Sequence, residues 1–459
     1  MINVRPSQFA TLVIAVLVSG TSSGAFAQEG STRNEPVTRE EFLKLLDEFR
    51  QFRKEYATLK SENAELKNGL AAMNGRLFTL TEEGLRAQIA EAAAQEREYL
   101  LRELRAETRI QIDSLLPGLT NFALGGGGVV AYQDRENSDS TFALGIAPLV
   151  LWKPTDDLLF EVEFGFSLGA EETNVELGLA QLSYVLNDYV TIGGGLFRLP
   201  FATFWERWHP SWINKLPVIP LLYERGLVGP SGLGVQARGG FALGPTKVNY
   251  SAYYINGPDF QTSQVRAGRL GFGNYRDNNN NKGFGFRVGF LPIPEFEVGY
   301  SFFAGRVDDS GGVFSDVDTT MQAFDFRYAR EFDAIKGRLD LLGEFVWVDT
   351  DDEIFTGALL PIVFDNKRRG WFVQAAYRPT QSDFRFGDKF ELRNLEFVAR
   401  YDWLREPGPG SLGTDGQRTT LGLTYWLKPN VAFKVAYVLD DANGDRNQDG
   451  FFVQAAFGL

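Results

Sequence analysis

Between residues 119 and 459 the chain alternates apolar and polar positions one by one, in short runs separated by Gly, Pro, Asn and Asp. In 338–347, Leu339, Leu341, Phe345 and Trp347 fall on one face and Arg338, Asp340 and Glu344 on the other. In 395–403, Leu395, Phe397, Ala399, Tyr401 and Trp403 oppose Glu396, Arg400 and Asp402; in 431–439 an apolar face opposes Lys434. A period of two is the β period. The same reading predicts strands at 119–133, 141–152, 158–168, 175–186, 189–199, 232–243, 246–255, 283–291, 296–305, 321–330, 338–347, 370–378, 395–403, 417–427, 431–439 and 451–459. Their connections alternate between tight turns (Asn187-Asp188, Gly244–Thr246, Lys428–Asn430) and long loops (200–231, 256–282, 349–369). One turn-side connection, 379–393, is long and carries its own aromatics. Aromatic faces on nearly every strand exceed what a soluble sandwich buries; they fit lipid, with charge turned into a wet lumen. The expected fold is an all-β transmembrane barrel of about 16 antiparallel strands.

Before the barrel the period changes. Phe42, Leu45, Phe49, Phe52, Tyr56, Leu59, Asn63, Leu66, Leu70, Met73, Leu77 and Leu80 step by three and four, with Lys and Glu between them. This is an a/d seam, predicting an N-terminal α-helical coiled coil with a left-handed supercoil. Aromatic seam residues favour three strands and Asn63 at an a position favours two, so the seam alone leaves the number open. Helix-favouring residues continue to 116 and Pro117-Gly118 stops them. At ~1.5 Å per residue, 42–80 would span roughly 58 Å. Residues 1–27 read as a signal peptide: Arg5, an apolar run Phe9 to Val18, then Ala25-Phe26-Ala27. The division expected is therefore 1–27 signal, 28–118 periplasmic stalk and 119–459 outer-membrane barrel. An even strand number puts both ends of the barrel on the stalk's side, the periplasm.

Composition narrows the function. Formal charge is −13, and loss of Arg5 with the signal makes it one unit more negative, which argues against a nucleic-acid partner. No cysteine and one histidine leave neither thiolate metal sites nor a catalytic set, and Ser211 is too near His209 in sequence to form a hydrolase pair. No enzyme activity and no cofactor are expected. Asp441, Asn443 and Asp445 space oxygen ligands two apart, as Ca²⁺ would want, but without the glycine and glutamate of an EF-hand; a solvated loop is the plainer reading.

Sixteen strands enclose an aqueous channel. The richest loop is 200–231, with three of the eight tryptophans, five prolines and the only histidine. Prolines stiffen it, and Trp205, Trp208 and Trp212 can wedge it against the wall. Arg207, Lys215 and Arg225 are candidates for a positively charged constriction, with Arg198 and Arg238 flanking on strands. Against this stands a plainer reading, in which Glu206, Arg207, Glu224 and Arg225 pair with one another and pin the loop.

The runs Gly193–Phe201 (GGGLFRLPF), Glu206-Arg207, Tyr223-Glu224-Arg225 and Gly232–Gly239 (GLGVQARG) resemble the third-loop region of the phosphate-selective porin O/P family. That resemblance implies a trimer conducting anions such as phosphate past basic residues. The chain departs from phosphate-specific members, because its loop is rich in Trp and Pro and a full arginine ladder or lysine cluster is not evident. The expected function is passive diffusion of small solutes through an outer-membrane porin. The alternative is a structural barrel whose stalk ties the membrane to the cell wall. Expected partners are outer-membrane lipid and lipopolysaccharide, two further copies, the permeating solute and, for the stalk, peptidoglycan.

Overall fold

The computed structural model describes residues 121–459 apart from 170–171, 264–265, 274, 278, 308–315, 353–362, 388–389, 409–412, 414 and 443–448, together with 51, 54, 55, 58, 60–62 and 64–68. The chain divides into two units, Met1–Leu104 and Arg105–Leu459. In the first, the described residues are α-helical and exposed. Leu66, the only described seam position, is 73% exposed. The other seam positions (Phe42, Leu45, Phe49, Phe52, Tyr56, Leu59, Asn63, Leu70, Met73, Leu77, Leu80) and the signal lie outside the described residues. No described helix is long and apolar enough to cross a membrane.

The second unit is a closed antiparallel barrel. Its strands are β1 (Phe122–Arg135), β2 (Thr141–Thr155), β3 (Leu158–Leu168), β4 (Thr173–Asn187), β5 (Val190–Arg198), β6 (Ser231–Leu243), β7 (Thr246–Asn256) and β8 (Lys282–Ile293). They continue with β9 (Phe296–Arg306), β10 (Asp318–Phe332), β11 (Gly337–Thr350), β12 (Lys367–Arg378), β13 (Leu395–Arg405), β14 (Gly416–Lys428), β15 (Val431–Ala442) and β16 (Gly450–Gly458). Each strand pairs with its sequence neighbour, and β16 closes on β1 from Gly127↔Gly458 to Arg135↔Gly450. Closure leaves the sheet without an open edge, the condition for crossing lipid with strands.

The side chains follow the alternation. On β15, Phe433, Val435, Tyr437 and Leu439 face outward and are exposed, while Lys434 between them is buried inside. Several strands run past the predicted ends, β10 back to Asp318, β11 on to Thr350 and β12 back to Lys367. Those extensions are polar (Asp318–Thr320, Asp349-Thr350, Lys367–Arg369) and stand beyond the apolar band, so a hydrophobic period cannot mark them. The long connection 379–394 contains a small hairpin, Arg385–Phe386 against Phe390–Glu391. Phe390 stacks on outward-facing Tyr425 with centroids 4.9 Å apart.

Candidate functional site: a loop folded into the barrel

The connection 199–230 runs inside the barrel rather than outside it. Its five prolines break it into short turns, a π-helical turn at Phe204–Trp208 and one α-helical turn at Leu221–Glu224. Inside, Phe201, Phe204, Leu221, Leu222, Tyr223, Leu227 and Val228 meet Tyr253, Phe303, Met321, Leu342, Val346, Phe372 and Leu404 from the wall in one buried apolar cluster. Part of the lumen is thus filled by a buried apolar cluster that joins loop and wall.

Polar anchors fix this loop. The Ala202 N–H donates to Ser301 Oγ at 3.0 Å. The Thr203 N–H donates to Glu344 Oε1 at 2.9 Å, its hydroxyl to the same oxygen at 2.6 Å, and the Tyr223 hydroxyl to Glu344 Oε2. Further along, Arg400 donates to the carbonyls of Val218 (3.0 Å) and Ile219 (2.9 Å) and to Asp402 Oδ2 (3.0 Å), while Asp402 Oδ1 accepts the Leu221 N–H (2.9 Å). Lys434 donates to the Ser211 carbonyl and to Gln454 Oε1. Burial alone would raise the Glu224 carboxyl, but the Arg418 and Arg135 guanidiniums outweigh it and hold the group below its usual range.

The tryptophans take distinct seats. Trp212 lies against the backbone of Gly127 and Gly458; a Cβ on Gly458 would stand 2.7 Å from the indole, so only glycine leaves room there. Trp205 Nε1 donates to the Val228 carbonyl at 3.0 Å, bracing the loop on itself. Trp208 lies under the Arg327 guanidinium, 4.5 Å from ring centroid to Cζ, and donates to Thr203 Oγ1 at 3.2 Å. His209 is pushed down to about 3 by burial, with Arg198 adding to the effect, so it stays neutral.

The five candidate bases are not alike. Arg198 pairs with Glu163, and Arg238 with Glu206. Arg207 pairs with Glu297 at 2.9 Å and stands 3.8 Å from Glu206. Lys215 bridges Glu396 (2.6 Å) and Asp340 (3.2 Å). Arg225 has no ion pair among the described residues. Of the pairing read among Glu206, Arg207, Glu224 and Arg225, the structure has Arg207 near Glu206, while Glu224 forms its ion pairs with Arg418 and Arg135 of the wall. The Glu344 clamp is the part that sequence reasoning missed. Glu344 stood among the inward acids and Tyr223 in the loop motif, but 121 residues separate them. Of the calcium candidates, Asp441 lies in β15 and Asn443 and Asp445 lie outside the described residues; no metal-holding group of three occurs among the described ones.

A closed barrel with an apolar outer face, a charged interior and an infolded third loop defines the class, a porin-type barrel of the bacterial outer membrane. Within that class, residues 306–453 match the family model of phosphate-selective porin O and P. The match begins at the end of β9 and excludes the infolded loop, so it is independent of the loop motifs. No curated protein matches the chain. Solved structures similar to it include OmpF of Salmonella typhi in complex with daunomycin (14% identity, 74% of this chain, 97% of that one, TM-score 0.48). OmpT of Vibrio cholerae in its trimer form is similar at 13% identity, 74% and 99% coverage and TM-score 0.46. An anion-selective porin from Comamonas acidovorans is similar at 12% identity, 74% and 99% coverage and TM-score 0.46.

Proposed function

We propose that the protein is a passive outer-membrane channel for small solutes whose lumen is narrowed by loop 200–231. The observation that carries this reading is the loop itself, anchored to the wall at Ser301, Glu344, Arg400, Asp402, Arg418 and Lys434. Single-channel recording in a KCl gradient tests it. Discrete conductance steps are expected, and deleting the loop should enlarge them. A silent bilayer with correctly inserted protein would instead favour the anchor reading, in which the stalk holds peptidoglycan.

Anions such as phosphate are the proposed preference. Its support is Arg225, which makes no ion pair among the described residues, whereas Arg198, Arg207, Lys215 and Arg238 are each paired with a carboxylate. Charge in a narrow throat acts strongly on permeation because the field is focused there. Arg225→Ala should therefore move the reversal potential toward cations, while Arg225→Lys should leave it near the wild type. An unmoved potential in the alanine variant would remove Arg225 from the selectivity.

The assembly proposed is a homotrimer in lipid and lipopolysaccharide, with the 42–80 seam contributing in the periplasm and Trp205, Trp208 and Trp212 wedging the loop. Deleting 28–116 should lower the fraction of trimer in native mass measurements while the barrel stays folded. An unchanged trimer of unchanged melting temperature would assign assembly to the barrel alone.

A further inference from the structure

The inner face of the barrel is covered unevenly. From β8 onward many inward side chains are buried beneath the loop, Arg287, Glu344, Arg400, Arg418 and Lys434 among them. On β1 to β3, apart from Gly127 beneath Trp212, and on the outer half of β4, inward residues keep solvent exposure instead. Close approaches fix which face is inward. Gly127 and Trp212 meet inside; a Cβ on Gly145 would lie 3.3 Å from Val129 Cγ1, so those two share that face. A Cβ on Gly165 would meet Glu176 Cγ at 2.7 Å, and one on Gly178 would meet Glu163 Oε1 at 2.6 Å. Glu176 therefore lies over Gly165, two residues outward from Glu163, which is two outward from Glu161. Three carboxylates occupy successive inward rungs, roughly 7 Å apart at ~3.4 Å per residue. The middle one pairs with Arg198. Glu161 accepts a hydrogen bond from Gln181 at 2.6 Å, and neither it nor Glu176 has an ion pair among the described residues.

We propose that the conducting path runs off-centre along the inner face of β1 to β4, and that Glu161 and Glu176 on that wall form its cation-passing component. This rests on the channel reading. Gly145, which carries no side chain, leaves width on the wall, and the carboxylates offer a cation successive stations while the path stays wet. The bases of the loop face carboxylates across most of the lumen, so the wall acids weigh in the selectivity beside Arg225.

The natural absence of cysteine makes the test direct. Single cysteines at Val129 and Glu161 face the path; Val130 faces lipid, and Thr420 lies on the inner wall buried beneath the loop. In the full-length protein in planar bilayers, a trimethylammonium-bearing methanethiosulfonate should reduce conductance at Val129→Cys and Glu161→Cys and leave Val130→Cys and Thr420→Cys unchanged. Block at Thr420→Cys with silence at the other two would place the path elsewhere and overturn the proposal. Glu161→Gln with Glu176→Gln keeps size and the Gln181 contact, and should lower the K⁺/Cl⁻ permeability ratio by about twofold or more as two charges leave a focused field. A ratio that stays put overturns the role of the carboxylates. Wild-type protein that inserts without conducting refutes the channel reading itself, a separate outcome from either.

Discussion

Arg400→Ala is expected to free the middle of loop 200–231 and raise single-channel conductance. Arg400 is almost wholly buried and holds two consecutive loop carbonyls, Val218 and Ile219, with one guanidinium while its Nε holds Asp402. Asp402 in turn accepts the Leu221 N–H, so a single wall pair grips both sides of Pro220. Alanine would strand a buried carboxylate and two carbonyls. Breaking one side of such a pair costs about 3–5 kcal/mol when nothing relaxes. The barrel's own ladders are untouched, so the relief should come from water entering and the loop lifting. Arg400→Lys keeps the charge but not the three-way fork, and should fall between. The check is paired: conductance in bilayers and the denaturant midpoint of the folded barrel. An alanine variant with wild-type conductance and midpoint would mean that the loop is held elsewhere, at Glu344 or Lys434.

Much of this architecture is legible in the residues. Phe433, Val435, Tyr437 and Leu439 around Lys434 announce an outward apolar face and an inward charge, and the fold places them so. Strand ends are less legible, because Asp318 and Lys367 lie above the lipid band, where no apolar partner is required. The loop's richness in Trp and Pro marks it, and its infolding buries Phe201, Phe204, Leu221, Leu222 and Tyr223 against the wall. What the sequence hides is who answers each charge. Arg207 meets Glu297, 90 residues away, and Lys215 meets Glu396, 181 away. Those partnerships exist only once the barrel has closed and the loop has crossed it; no local period records them. The alternation marks Asp340 and Glu396 as inward acids without indicating which base each one neutralises.

Lys215 is where that hidden pairing should have its second large effect. Its ammonium stands between Glu396 and Asp340, both nearly buried, and its neighbour Leu216 packs among Ala376, Val398 and Ala436. Lys215→Met keeps the length of the side chain and removes the charge. Among the described residues, Glu396 would then retain only the Trp426 indole N–H (2.8 Å), and Asp340 only Arg327 (3.1 Å). Two outcomes are expected together. The denaturant midpoint should fall, by an amount within the roughly 3–5 kcal/mol typical of an uncompensated buried charge. The reversal potential should move toward cations, since a neutralised carboxylate becomes a bare one beside the lumen. Adding Glu396→Gln to Lys215→Met should restore part of both, giving a coupling energy that a simple packing defect would not show. Additive losses in the double variant would mean that Lys215 acts through its stem and not its charge. In that case the loop's hold on the wall rests on the apolar seat of Leu216 rather than on the ion pair beside it.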